Sequence, residues 1–330
     1  MDNVVLTKEI ASSRKQLLNK AFENSSICFP EIVNGEIVIK PNFLSHRNLL
    51  ASTHPSTVEV VLSYIRKRYP DNEITIAEGS HVSDHYIQKY ELVKMAKQHN
   101  AKVWDLNSDE AEWEKFTTFD LLGQAIQTRI SKKVIGAGLL ISLCVPKTHK
   151  NVGISLSLKN LVGCLHKEDR QHIHGINDRI PADVLKKRKR AVYDLDSSFG
   201  YISMKIRSMF PINMKHKGII KEDFDVISRN LFALYSFMKP DICIVDGYTG
   251  MEGNGPWHGK KVSLNTVLIS NNCYHADTIM SRIMGLDHSL LGYTKYLSLP
   301  SFDDELSIKG TTIEQCVCQF NRSHFTKELW

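Results

Sequence analysis

The sequence predicts an α/β protein: two α/β domains with mainly parallel sheets and a cleft between them. Short apolar runs alternate with amphipathic stretches of helical length, the pattern of βαβ units. The chain has 330 residues, more than a single hydrophobic core usually serves. Several apolar runs also stop at turns rich in Lys, Glu, His or Asp, and parallel strands gather such ends along one edge of a sheet, where ligands sit in open α/β folds. The expected division is 1–145 and 146–330, with the tail packing back on the first domain. No repeat or low-complexity linker marks that boundary.

Taken in order, Glu36–Lys40 (EIVIK) reads as a strand that stops at Pro41-Asn42. Val58, Val61, Leu62 and Ile65 have helical spacing, and Pro55 suits a first turn. Glu73–Ala77 is the next strand, ending in Glu78-Gly79-Ser80-His81. A helix from about Ser83 places Ile87, Tyr90, Val93 and Ala96 on one face, and Lys102–Leu106 is a third strand. Residues 107–135 read as mixed and partly helical. Leu139–Val145 is a buried strand; 151–180 reads as loop with short helices, and 182–209 as a basic helical region. A helix spans Glu222–Met238 and ends at Lys239-Pro240. Asp241–Val245 is a buried strand opening into the glycine-rich stretch 247–259, followed by a strand over Val262–Ser270. His275–Met284 is a helix closed by Gly285, and one more helix lies near Thr312–Phe320.

Composition narrows the class. Hydrophobic residues make up 42% and charged residues 24%, ordinary values for a globular protein. No apolar stretch approaches the roughly 20 residues of a membrane span. The first residues lack the apolar centre of a signal peptide, so a cytoplasmic protein without a membrane partner is expected. The seven cysteines are scattered with no CxxC, so neither a zinc ribbon nor an iron–sulfur motif is encoded. The net charge is +6, with basic clusters at 147–159 and at 186–190 (KKRKR). The second reads as a solvated helix face, because no helix-turn-helix, finger or aromatic–basic interleaving accompanies it. The first suits a small anionic ligand, and nucleic acid is the less favoured partner.

Four strand ends supply the candidate site: Lys40-Pro41-Asn42, Glu78 to His81, Pro146 to His149 and Asp246-Gly247. His149 is the expected general acid or base, with Lys147 and Lys150 favouring its neutral form. Its alternative reading is an exposed loop histidine. Glu78 and Asp246 are the further catalytic candidates. Lys40, Asn42, Lys147, Lys159, Asn160 and Glu252 are the candidate binding residues, Glu252 because the glycines around it permit close backbone approach to a ligand. His172 and His174 form a weak metal candidate, His-x-His without a nearby carboxylate or cysteine partner. No structural zinc is expected, and any cofactor is left unassigned. GMEGNG has the wrong spacing for a dinucleotide fingerprint.

IVIKPN (37–42), AEGS (77–80), VPKTH (145–149), SLKNLVG (157–163), DGYTGMEGNGP (246–256) and the segment 277–285 stand in the order in which the DUF362 family has them. The chain resembles that family over roughly residues 36–285. The family is a domain of unknown function, joined in some members to a ferredoxin-like iron–sulfur module. This chain has no such module, so cluster electron transfer is not carried over. The family is distantly similar in fold to the nickel-pincer lactate racemase, which has two α/β domains with the site between them. The cofactor-binding motifs of that racemase are not recognisable here, and neither nickel nor the pincer cofactor is carried over. The resemblance implies fold and site location.

The leading functional expectation is an enzyme that moves a proton on a small anionic metabolite, as an isomerase or epimerase does. Lys40, Lys147 and Lys159 hold the anion, His149 moves the proton, and Glu78 or Asp246 orients it or serves the opposite face. The alternatives are a redox enzyme using an external metal or flavin, and a non-enzymatic protein that binds anions or nucleic acid. The oligomeric state is not readable.

Overall fold

A computed structural model describes residues 2–10, 13–80, 83–108, 110–188, 214–297, 306–323 and 326. Its elements in chain order are β1 (Asp2–Lys8), α1 (Arg14–Glu23), β2 (Ile37–Lys40), α2 (Pro55–Arg68), β3 (Ile74–Glu78), α3 (Ser83–Lys89), α4 (Leu92–Gln98), β4 (Lys102–Asp105), β5 (Trp113–Phe119), β6 (Ala125–Ser131), α5 (Lys132–Ile135), β7 (Leu139–Cys144), β8 (Lys147–His149), β9 (Gly153–Ser155), α6 (Ser157–Asn160), α7 (Ala182–Arg188), α8 (Met214–Phe237), β10 (Ile242–Gly247), β11 (Gly250–Glu252), β12 (Lys260–Val262), β13 (Thr266–Ser270), α9 (Cys273–Ile283), β14 (Leu306–Gly310) and α10 (Ile313–Cys316).

An eight-stranded sheet in the order β14-β1-β13-β10-β7-β2-β3-β4 forms the frame. All neighbours run parallel except the two pairs that involve β13. The expected α/β class with a mainly parallel sheet is therefore present. The sheet takes strands from both sides of the expected 145/146 division, because β7 and β10 are hydrogen-bonded neighbours within it.

Both faces of the sheet are covered, which is why its strands read as unbroken apolar runs and not as alternating ones. Leu17 and Leu18 of α1, Val58, Val61, Leu62 and Ile65 of α2 and Leu92 of α4 pack on one face with Ile37, Ile39, Ile242 and Ile244. Ile227, Leu231 and Leu234 of α8 and Ile279, Met280 and Ile283 of α9 pack on the other with Val38, Cys243 and Val245.

A second sheet, in the order β12-β11-β8-β9, continues two strands of the first. β7 runs through Val145-Pro146 into β8, and β10 runs through Tyr248-Thr249 into β11; β8 and β11 pair in parallel, as β7 and β10 do. The small sheet thus stands on the carboxyl edge of the large one.

Three expectations are sharpened. Residues 107–135, read as mixed and partly helical, contain the antiparallel pair β5–β6 and the short helix α5. Thr118 and Thr128 take inward positions there and hydrogen-bond to each other at 2.6 Å, so polar residues occupy the buried face and weaken the alternation. The helix expected from Ser83 is two helices, broken where Glu91 takes φ 49°. The 262–270 strand is split into β12 and β13. The expected basic region 182–209 is seen as α7 up to Arg188; Lys189, Arg190, the rest of that region and His81 lie outside the described residues. No helix among the described residues is long and apolar enough to cross a membrane.

Candidate active site

A cavity of about 280 Å³ opens at the carboxyl edge. Lys40, Asn42, Glu78, Lys147, His149, Lys159 and Asn160 of the expected set all line it. The other two expected residues do not. Asp246 lies on the opposite face of the sheet, where its Oδ2 accepts from Arg14 and, at 2.6 Å, from Thr57 Oγ1, and its Oδ1 accepts from Tyr248 N at 3.1 Å. Side chains alternate along a strand, so Asp246 shares the side of Ile242 and Ile244 while Lys40 shares that of Val38. Glu252 accepts from the backbone N and side-chain Nδ2 of Asn321, both at 2.8 Å. It ties the chain near its end to β11.

Glu78 and Lys40 form the floor. Lys40 Nζ lies 2.8 Å from Glu78 Oε2, with both side chains almost wholly buried. Glu78 also accepts from Phe43 N at 2.9 Å, Gly79 N at 2.8 Å and Ser80 N at 3.0 Å. The carboxylate is fully occupied and fixes Lys40, whose Nζ also donates to Pro41 O at 2.6 Å. Gly163 lets this pair tuck under the loop: a Cβ there would lie 2.9 Å from both Glu78 Oε1 and Lys40 Nζ.

β8 supplies Lys147 and His149 two residues apart, hence on one side. Lys147 is 2% exposed. Its Nζ donates to Asn42 Oδ1 and to Ala51 O. Burial pulls it down to about 7. His149 Nδ1 accepts from Asn151 N at 3.1 Å, which places the ring proton on Nε2. Burial first, and then the positive charges of Lys159, Lys150 and Lys147 around it, hold His149 well below the usual imidazole value.

The short helix α6 carries Lys159 and Asn160. Asp277 of α9 accepts from Ser157 N at 2.8 Å and Leu158 N at 3.1 Å, and from Tyr293 Oη at 3.1 Å. Burial raises the Asp277 carboxyl to about 6. Asn160 Nδ2 donates to Lys40 O at 2.8 Å and Ser142 Oγ at 3.1 Å, locking α6 onto β2 and β7. Lys159 has no hydrogen-bonded or ion-paired partner among the described residues, and burial pulls it down to about 8.

A model of the family described as Domain of unknown function (DUF362) matches residues 37–282. The chain belongs to this family. Among solved structures it is similar to the lactate racemase apoprotein from Thermoanaerobacterium thermosaccharolyticum, with 14% identity, a TM-score of 0.43, and coverage of 73% of this chain and 50% of that one. The chain thus spans about half the length of that protein. No curated protein matches it.

In this DUF362 chain the cavity wall includes residues that the sequence reading left out. Asn151 is 1% exposed, and neither its Oδ1 nor its Nδ2 has a partner; Asn160 Oδ1 and Arg170 Nη1 are likewise buried and unpaired. Buried polar atoms are almost always satisfied, so four orphans around one cavity mark groups left for a ligand. Asn151 follows the polar end of β8 directly and could have been included on that ground. Arg170 is placed by contacts to Leu165 O and Asn107 Oδ1, which no local pattern announces. Leu44, Val162, Pro256 and Trp257 add an apolar side.

His172 and His174, the weak metal pair, diverge. His174 lines the cavity, whereas His172 Nδ1 meets Thr128 Oγ1 at 3.1 Å. A trio of ligand-type groups, His166, Glu168 and Asp169, does lie close together. The Arg129 guanidinium already bridges its two carboxylates, 3.0 Å from Glu168 and 2.7 Å from Asp169. That trio is already tied together by the Arg129 guanidinium.

Proposed function

We propose that the DUF362 chain is an enzyme that binds a small anionic metabolite in this cavity and moves a proton on it, as an isomerase or epimerase does. The observation that supports this reading is the union of unsatisfied polar atoms with amines that titrate near neutrality. Arg170, Lys159 and Asn151 offer donors for a carboxylate or phosphate. Lys150 adds positive potential in a partly enclosed, low-dielectric space, where such potential acts strongly.

The roles within the site shift from the sequence expectation. His149 is held neutral with Nδ1 occupied, so its Nε2–H is a hydrogen-bond donor suited to a substrate oxygen, and it makes a poor base. Lys147 takes the base role. A neutral amine has two N–H donors and one lone pair; Asn42 Oδ1 and Ala51 O accept from it, which leaves the lone pair for a substrate proton. A lysine brought to about 7 is half deprotonated at working pH, the condition for efficient general-base catalysis. Glu78 positions Lys40.

The test is wash-in of solvent deuterium, followed by NMR, across a panel of small 2-hydroxy and 2-oxo acids. The expected result is exchange at the carbon beside the carboxylate or carbonyl. Lys147→Met lowers it about 10²–10⁴-fold without lowering the melting temperature, because methionine removes a desolvated amine. Unchanged exchange in folded Lys147→Met removes Lys147 as the base.

A further inference from the structure

We propose that Lys159 is a carbonyl-trapping amine and that the substrate class of the cavity is a small 2-oxo acid, bound as an imine through Lys159 while the surrounding donors hold its carboxylate. This inference rests on the anion-binding reading above and names the chemistry within it.

Lys159 differs from the other lysines of the floor. Lys40 is spent on Glu78 and Pro41 O, and Lys147 on Asn42 and Ala51. Lys159 lines the same cavity with no partner among the described residues. Its backbone, by contrast, is heavily fixed. Asp277 holds the start of α6 through Ser157 N and Leu158 N, Ser142 Oγ donates to Ser157 O at 3.0 Å, and Asn160 Nδ2 grips Lys40 O. A rigid stem with an unpaired terminal amine is the arrangement a nucleophile requires. Burial favours the uncharged, nucleophilic form, in keeping with its lowered value of about 8.

The step balances with groups in the cavity. The Nζ lone pair attacks the carbonyl carbon; a C–N bond forms and the carbonyl π pair moves to oxygen. The nitrogen gives up a proton and the oxygen gains one, giving a carbinolamine. A further proton on the hydroxyl lets it leave as water, and the nitrogen pair closes a C=N bond. The ammonium form of Lys147, populated because its value lies near 7, supplies that proton and is left with its lone pair free, while His149 Nε2–H hydrogen-bonds the departing oxygen. Arg170 Nη1 and Asn151 Nδ2 are unpaired donors suited to the carboxylate. The protonated imine then withdraws electrons from the neighbouring C–H, whose proton goes to the Lys147 lone pair.

The experiment incubates the full-length chain with pyruvate and sodium cyanoborohydride at pH 8, then reads intact mass and a peptide map. The expected result is one reduced adduct per chain, on Lys159, blocked by oxamate, which has the carboxylate but no ketone. With Lys159 near 8, about half of it is free amine at this pH, against less than about 1% for a surface lysine near 10.4, so its labelling runs at least about tenfold faster. Lys159→Arg loses the adduct. If that variant fails to fold, the peptide map and oxamate protection of the wild-type chain decide the matter. An adduct spread evenly over surface lysines, one confined to Lys147, or none at all while oxamate binds, overturns the imine and leaves the anion pocket standing. Failure of oxamate to bind the wild-type chain overturns both.

Discussion

Two buried ion pairs close strand ends of the same sheet, and they differ in what surrounds them. Arg14 and Asp246 form a finished joint. Asp246 Oδ2 takes Arg14 and Thr57, and its Oδ1 takes Tyr248 N; the second arm of Arg14 reaches Thr249 Oγ1 at 3.0 Å, and its guanidinium lies over the Tyr248 ring at 5.0 Å. Lys40 and Glu78 are as well satisfied within the pair, but their neighbours are not. Asn151, Asn160 and Arg170 keep polar atoms that no protein group meets. A charged residue at a strand end is therefore weak evidence of a site by itself. Surplus hydrogen-bonding capacity around it is what separates a binding pocket from a structural joint.

The sharpest way to break this comparison is to cut the closed pair. Asp246→Ala leaves Arg14, whose side chain is 12% exposed, without its counter-charge. Breaking a buried pair in this way destabilises a fold by about 3–5 kcal/mol. Urea unfolding should register that loss, while oxamate binding by the protein that remains folded stays at the wild-type level. A tenfold fall in oxamate affinity with unchanged stability would place Asp246 in the site after all.

The arginines give a second, smaller contrast. Arg170→Lys removes the planar fork that presents the orphan Nη1, and lysine does not replace a fork at such a position. Oxamate affinity should fall about tenfold, equivalent to about 1.4 kcal/mol, with little change in melting temperature. Arg14→Lys should do the reverse, lowering the melting temperature and leaving oxamate affinity alone. Equal effects of the two substitutions on binding would erase the distinction between the two ends.

Much of the pocket was legible because it lies directly after apolar runs. Lys40 and Glu78 end their strands, Lys147 and His149 lie on the three-residue continuation of β7, and Lys159 and Asn160 sit on the helix that follows. Asp246 has the same signature and a different fate. Its strand is apolar on both faces, so the sequence offers no alternation from which to tell which side it points to. Arg170 and the β5–β6 hairpin were hidden for other reasons. Arg170 reaches the cavity only through long-range contacts, and Thr118 and Thr128 give the hairpin a polar interior. The role of His149 was also beyond the sequence, because it depends on the Asn151 N–H that fixes the ring proton.

The smallest expected effect is a proton count, and it separates the two ends once more. Lys147 and Lys159 are held near 7 and 8 in the folded chain, below the unfolded value of about 10.4. Between about pH 7 and pH 10.4 the unfolded chain therefore binds more protons than the folded one, and these two groups make stability rise with pH across that window. An anion entering the cavity reverses the local balance, since a nearby negative charge favours the ammonium form. Binding at pH 8 should then take up protons, up to about 1.4 per chain, seen as a dependence of the calorimetric heat on the ionisation enthalpy of the buffer. At pH 6 both amines are already charged before the ligand arrives, and the dependence should nearly vanish. His149 and His174 contribute nothing at either pH, because burial and the neighbouring lysines keep both neutral. The Asp246→Ala protein should show the same uptake as wild type, and Lys159→Met a smaller one. Uptake that is equal at pH 6 and pH 8 would mean that the amines do not meet the bound anion, and the open end of the sheet would be no more a site than the closed one.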